Sequence, residues 1–323
     1  MNTIPLIFNE RISPYTIVGG DKNQESANEN FFSVFILGRP DSITSDVAFE
    51  NILSFQFKSV YAIFPSAKNI ESLVEKFPII RFIKTSQELT IGEMINICAA
   101  ECSSQFFIVL WSDTVISSQG FIDAMLEQIL GEKTICTVPA ILNDRHESIP
   151  NQMVPILNAK HFFDVQKFPV LKDKTLTIYP FDFIGIYNRQ KFIDVAGFDY
   201  TIKNPYWQVL DFSLRSYLYG FMMSIATSFK VRYIGEIPVE QVCADDSYRT
   251  FFLKNLAVQI KKSEDSHEAY IPKKVFFSYL NNAHLHLLER YRHFKRAKKW
   301  VLANKDRFKK TALDLVGEWE PLL

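Results

Sequence analysis

Six apolar residues, Phe106 to Trp111, run without a break and then stop at Ser112-Asp113. A run this short, rich in aromatic and branched side chains, predicts a strand buried on both faces. Residues 92–104 before it read as a helix, with Met94, Ile95, Cys98, Ala99 and Cys102 at helical spacing. Residues 119–130 after it read as another, with Phe121, Ile122, Met125, Leu126, Ile129 and Leu130 on one side. A buried strand between two helices belongs to a layered α/β sheet. The end of the strand sets Asp113 at the carboxyl edge of that sheet, where ligands bind in open α/β folds. The plainer role for Asp113 is that of a turn residue.

The same pattern repeats along the chain. Residues 1–30 form an extension that starts apolar and ends in a polar loop. A strand at 31–37 breaks at Gly38-Arg39-Pro40-Asp41, a turn by its glycine and proline. A helix at 46–57, a strand at 59–64, a short helix at 69–76 and a strand at 79–83 follow, then a strand at 134–138. Strands alternating with helices at short intervals predict a parallel sheet with crossover helices. Residues 142–173, with three prolines, read as loops with a short helix near 159–165. A strand at 181–187, helices at 189–195 and 206–220, and two short strands at 222–226 and 230–234 complete this part, with Gly220 as a helix C-cap.

Charge narrows the partners. Lys plus Arg and Asp plus Glu both number 36, so no global field favours nucleic acid. The excess is local: residues 273–310 hold twelve Lys and Arg against two acids, Glu289 and Asp306. Phe276, Phe277, Leu280, Ala283, Leu287, Leu288 and Tyr291 form an apolar stripe there, expected to pack on the protein with the cations facing outward. That face is either simply solvated or a dock for an anionic membrane surface, a protein partner or nucleic acid. Cys98 and Cys102 have no second pair at metal-ligand spacing and read as reduced core residues. No secretory signal and no 18-residue apolar run is present, so the expected location is cytoplasmic, with peripheral contact to the inner face of the membrane. Hydrolase-elbow, dinucleotide and Walker A motifs are absent, and His284-x-His286 points its rings to different sides of a helix.

Four groups of residues, taken in order, carry a resemblance. Ser33-Val-Phe-Ile-Leu37 is followed by Asn51-Ile-Leu-Ser-Phe-Gln56. Gly92-Glu-Met-Ile-Asn96 and Ala99-Ala100 precede the strand that ends at Asp113. Phe183-Ile-Gly185, Asn188-Arg189 and Gly197-Phe-Asp199 come next. Gln208-Val-Leu-Asp211-Phe-Ser-Leu-Arg215 and Gly220 come last. Over residues 31–262 this order resembles family 2 glycosyltransferases, the inverting group with a GT-A fold. The resemblance implies a GT-A-like (nucleotide-diphospho-sugar transferase) domain there, a mixed, mostly parallel sheet flanked by helices. An extension at 1–30 precedes it and a helical, basic region at 263–323 follows.

The resemblance also implies chemistry: a sugar passed from a nucleotide-sugar donor to a glycan or lipid-linked acceptor with inversion, as in cell envelope polysaccharide synthesis. Ser112, Asp113, Arg39 and Arg215 would bind the donor. Asp113 would hold a divalent metal, Mn or Mg, that neutralises the departing diphosphate. Asp211, or alternatively Asp199, would be the general base. Asp211 could equally be an exposed helix residue paired with Arg215 at i+4. The sequence departs from the family at several acids. Trp111 stands where Asp-x-Asp begins, Phe64-Pro65-Ser66 replaces an early acid pair, and Gln208-Val209 takes the Glu-Asp base position. A histidine that often follows is Glu240 or Gln241 here. These losses leave a second reading open, a catalytically inactive GT-A-like binding or assembly module.

Overall fold

A computed structural model describes residues 13–20, 31–39, 45–66, 69–118, 120, 122, 128–131, 133–158, 163–262, 267–280 and 287–319. Most of the extension at 1–30, most of the helix expected at 119–130, and both His284 and His286 lie outside these residues.

The strands are β1 (Tyr15–Val18), β2 (Phe32–Leu37), β3 (Ser59–Ile63), β4 (Arg81–Thr85), β5 (Phe106–Trp111), β6 (Thr114–Ile116), β7 (Thr134–Leu142), β8 (Gln152–Leu157), β9 (Phe163–Phe168), β10 (Gly185–Asn188), β11 (Met222–Tyr233), β12 (Gln259–Lys262) and β13 (His267–Tyr270). Among the described residues, nine of them form one sheet in the order β1-β4-β3-β2-β5-β10-β7-β11-β6. β2, β3, β4 and β5 pair in parallel, whereas β10 runs antiparallel to both β5 and β7. Every residue of β2 and β5 is buried, as a central strand covered on both faces requires. Helices α1 (Asp46–Leu53), α2 (Glu71–Lys76) and α3 (Ile91–Glu101) supply the crossovers. α3 opens on a capping box between Thr90 and Glu93, which satisfies two of its free N–H groups. The result is a GT-A-like mixed sheet flanked by helices.

The helix Pro205–Leu218 is the central support. Asn204 caps it, proline opens it, and every residue from Tyr206 to Leu218 is buried. Gln208 ties this helix to α3. Its side chain accepts from Gly92 N–H at 2.8 Å and donates to Thr90 Oγ1 and the Asp199 carbonyl, both at 2.9 Å. A Cβ on residue 92 would come within 2.3 Å of Phe198 Cβ, so glycine is what permits this approach.

Several expectations are corrected. Residues 163–165 are strand, not helix: Phe163 and Val165 alternate with Asp164 and Gln166, and β9 pairs with β8 as a separate ribbon. Residues 181–187 are not one strand, because Phe181–Phe183 is a 3-10 turn and only Gly185–Asn188 joins the sheet. The two short strands expected after Gly220 are one strand, β11, with a register shift between Ala226 and Lys230. In the tail, Phe277, Leu288 and Tyr291 are exposed, and the helix Leu287–Ala303 buries Phe294, Ala297, Trp300 and Val301 instead. Lys295, Arg296, Lys298 and Lys299 face outward, as expected. No described helix is long and apolar enough to cross a membrane.

Candidate functional site

Strand register builds the carboxyl edge of the sheet. β2 and β5 pair in parallel with Leu37 opposite Trp111. Each segment overruns its strand by two residues, so Arg39 and Asp113 arrive side by side. The Ser112 N–H donates to the Leu37 carbonyl at 2.9 Å and holds the overrun in place. Arg39 Nε donates to Asp113 Oδ2 at 2.7 Å. β10 begins at this same edge because it runs antiparallel to β5, with Gly185 opposite Val109. The turn before it delivers Asp182, whose Oδ2 accepts from Arg39 Nη2 and, at 2.8 Å, from the Tyr233 hydroxyl. Trp111 completes the group. The Arg39 guanidinium lies 3.9 Å from the centre of a Trp111 ring, and the indole N–H donates to the Asp182 carbonyl at 2.8 Å.

The turn that carries Asp182 is strained. Asp182 and Phe183 have φ of 52° and 64°. Aspartate tolerates this region, but a bulky aromatic residue does not. Such residues cost about 1–3 kcal/mol each and gather where a site demands them. Burial raises the Asp182 pKa above the usual carboxylate range, and Arg39 partly offsets that rise. Two further buried polar atoms here, Asp113 Oδ1 and Ser112 Oγ, have no hydrogen-bond partner among the described residues.

A cavity of 280 Å³ opens beside the cluster, with Arg39, Phe181, Asp182, Tyr206, Val209 and Glu240 among its walls. That volume is near the lower end for small-molecule pockets, about 300 Å³. Glu240 Oε2 accepts from the Tyr179 hydroxyl at 3.1 Å and pairs with Lys167 at 2.7 Å.

Asp211, Asp199 and Arg215 belong to a second cluster with no solvent exposure. Arg215 Nη2 donates to Asp211 Oδ2 at 2.8 Å and to the Gly197 carbonyl at 2.9 Å. Lys254 Nζ donates to Asp199 Oδ2 at 2.9 Å and to Asp211 Oδ2 at 3.2 Å, while Asn255 donates to Asp211 Oδ1 at 2.8 Å. Lys254 and Asn255 sit in a π-helical turn, Phe252–Leu256, and Lys254 Nζ lies 4.3 Å from a Trp300 ring centre. Asp211 is thus paired with Arg215 at i+4, but in the interior rather than at the surface. Burial alone would raise its pKa; Lys254 and Arg215 more than offset that and hold it below the usual range.

The structure brings Arg39, Ser112 and Asp113 to one edge and puts Asp199, Asp211 and Arg215 in the other cluster. Asp182 and Tyr233 were not legible as site residues; Glu240 was reached only through the resemblance, as one of two replacements for a histidine. Nothing in Phe181-Asp-Phe183 signals a left-handed turn, and Glu240 reaches the cavity through a loop without periodic pattern.

A metal fits poorly here. Hard divalent ions take six or more oxygen ligands. Among the described residues no three His, Cys, Asp or Glu side chains converge on one point. Asp113 Oδ1 has no hydrogen-bond donor among the described residues, yet Arg39 holds the other oxygen of Asp113 and bridges to Asp182. A cation beside that guanidinium would be repelled by it.

No protein-family model matches the chain, and no curated protein matches it. Solved structures do. A crystal structure of GalNAc-T7 with UDP, GalNAc and Mn2+ superposes with a TM-score of 0.60 at 13% identity, covering 90% of this chain and 58% of that one. This chain therefore spans less than two thirds of that protein. S. aureus TarS residues 1–349 in complex with UDP-GlcNAc matches with a TM-score of 0.48 at 13% identity, covering 85% of this chain and 73% of that one. At 13% identity the likeness to GalNAc-T7 establishes the fold alone, a mixed sheet of GT-A-like type.

Proposed function

We propose that the chain is a glycosyltransferase-like protein that takes a nucleotide-sugar at the carboxyl edge of its sheet. It passes the sugar, with inversion, to a glycan or lipid-linked acceptor. The observation that carries this reading is the convergence of Arg39, Asp113 and Asp182 beside a cavity at the edge where α/β sheets bind ligands. GalNAc-T7, bound to UDP in its crystal structure, supports the choice of donor class. Ser112, Asp113 and Arg39 serve the donor. Arg215, Asp211 and Asp199 are assigned to support instead, because their cluster is closed to solvent. The base is assigned to Glu240, a carboxylate on the cavity wall that retains some exposure, 14% of its side chain. A divalent ion at Asp113 would first have to displace Arg39. The protein acts in the cytoplasm on this reading, with the basic helix Leu287–Ala303 available for contact with the membrane's inner face or with a partner.

Calorimetric titration with a panel of nucleotide-sugars tests the donor, and product assays test transfer. Glu240→Gln should slow transfer about a hundredfold or more while leaving donor affinity near the parent value. If no nucleotide-sugar binds, the reading fails. Donor binding without transfer to any acceptor would leave a binding or assembly module.

A further inference from the structure

We infer that Arg39 occupies the place a divalent cation would take at this sheet edge, so that the site works without metal. The inference deepens the donor-site reading, but its first test does not depend on that reading. Three observations carry it. The guanidinium bridges two carboxylates from different strands' ends, as a metal ion would: Nε to Asp113 Oδ2 at 2.7 Å, and Nη2 to Asp182 Oδ2. Trp111, which stands where a first acidic ligand is expected, provides no ligand atom and instead offers its ring face to that guanidinium at 3.9 Å. The indole N–H also fixes the Asp182 carbonyl at 2.8 Å, so Trp111 positions both the cation and one of its carboxylates. A lost acid, a retained acid and an added acid thus make one arrangement organised around Arg39.

Charge gives the consequence. A divalent ion between two carboxylates sums to zero, whereas a guanidinium between the same two sums to one negative charge. A diphosphate is therefore held less tightly here than at a metal-loaded site, and added metal does not improve matters while Arg39 is in place. Removing Arg39 frees both carboxylates as oxygen ligands, including Asp113 Oδ1, which has no hydrogen-bond partner among the described residues.

The test follows Mn2+ itself, by its electron paramagnetic resonance signal and by the thermal midpoint, in the parent, Arg39→Lys, Arg39→Ala, Asp113→Asn and the double variant Arg39→Ala/Asp113→Asn. The parent and Arg39→Lys should leave the Mn2+ signal unchanged. Arg39→Ala should bind the ion and gain stability from it, and the double variant should lose that binding. UDP is then added to each. Its affinity should rise about tenfold with Mn2+ in Arg39→Ala and stay within about twofold in the parent. Mn2+ binding by the parent that disappears in Asp113→Asn overturns the inference, as does an Arg39→Ala protein that folds and stays silent to Mn2+. If Arg39→Ala does not fold, the comparison of parent with Asp113→Asn still decides. UDP that binds no variant, with the Mn2+ results as expected, counts against the donor reading alone.

Discussion

Lys254 has no exposure to water and two carboxylates within reach, Asp199 and Asp211. Arg215 brings a second cation, so the cluster of four is neutral, and Asn255 satisfies a further oxygen. Neutrality makes such a group tolerable in the interior, and removing one member makes it costly. Lys254→Met should therefore destabilise the fold by about 3–5 kcal/mol, because it strands a buried negative charge. Denaturant unfolding measures this, and a loss below about 1 kcal/mol would show the cluster to be better solvated than its burial implies. The pH dependence has a definite sign. Asp211 titrates lower in the folded chain than in the unfolded one, so its contribution is complete above the ordinary carboxylate range and fades as pH falls through the depressed value. Gln208, in the same layer, makes three hydrogen bonds through its amide, and the one it donates to the Asp199 carbonyl is one that a carboxylate could not make.

The helix Leu287–Ala303 poses two questions. His293 accepts or donates to Thr250 Oγ1 at 2.7 Å and to the Tyr279 hydroxyl at 2.6 Å, joining three segments. Burial lowers its pKa below the ordinary 6.5, so the neutral ring is the form that fits. The unfolded chain takes up a proton as pH drops through 6.5 before the folded one does, so stability falls over that range. Amide protection factors in 287–303, which divide out the pH dependence of the intrinsic exchange rate, should fall between pH 7.5 and 5.5 in the parent and change less in His293→Gln, and an equal fall in both would dismiss the ring as the cause. The second question is the outer face. Leu288, Tyr291 and Leu302 are exposed beside Lys295, Arg296, Lys298 and Lys299. Anionic surfaces attract such cations at about 1 kcal/mol each near the headgroups. The protein should co-sediment with anionic vesicles, less so with added salt, and much less after the four cations are changed to Glu. Recovery in the supernatant at low salt with anionic vesicles would leave this face to solvent or a protein partner. Elements with strong period were legible from sequence: β2, β5, α3 and the helix Pro205–Leu218 stand within two or three residues of expectation. The β8–β9 ribbon was not, because Pro155 reads as a breaker unless the strand lies outside the main sheet, where its missing N–H costs little.

At the scale of the molecule, the sheet edge and the buried cluster divide the work. One gathers Arg39, Asp113, Asp182 and Tyr233 from separate strand ends, and the other joins the central helix to the segment that follows the sheet. Asp113 was legible because an apolar run stops at it. Its pairing with Arg39 needed the parallel register of β2 and β5, which the sequence does not state. Asp182 needed a left-handed turn that only tertiary packing imposes. The contact between Lys254 and Trp300 has one more consequence, in time. A chain made from its amino end has Asp199, Asp211, Arg215 and Lys254 in hand well before Trp300 is added. Until the helix bearing Trp300 arrives, those charges lack the wall that keeps water from them. During synthesis the drying of this salt cluster therefore waits for residue 300, after every strand of the nine-stranded sheet has been made.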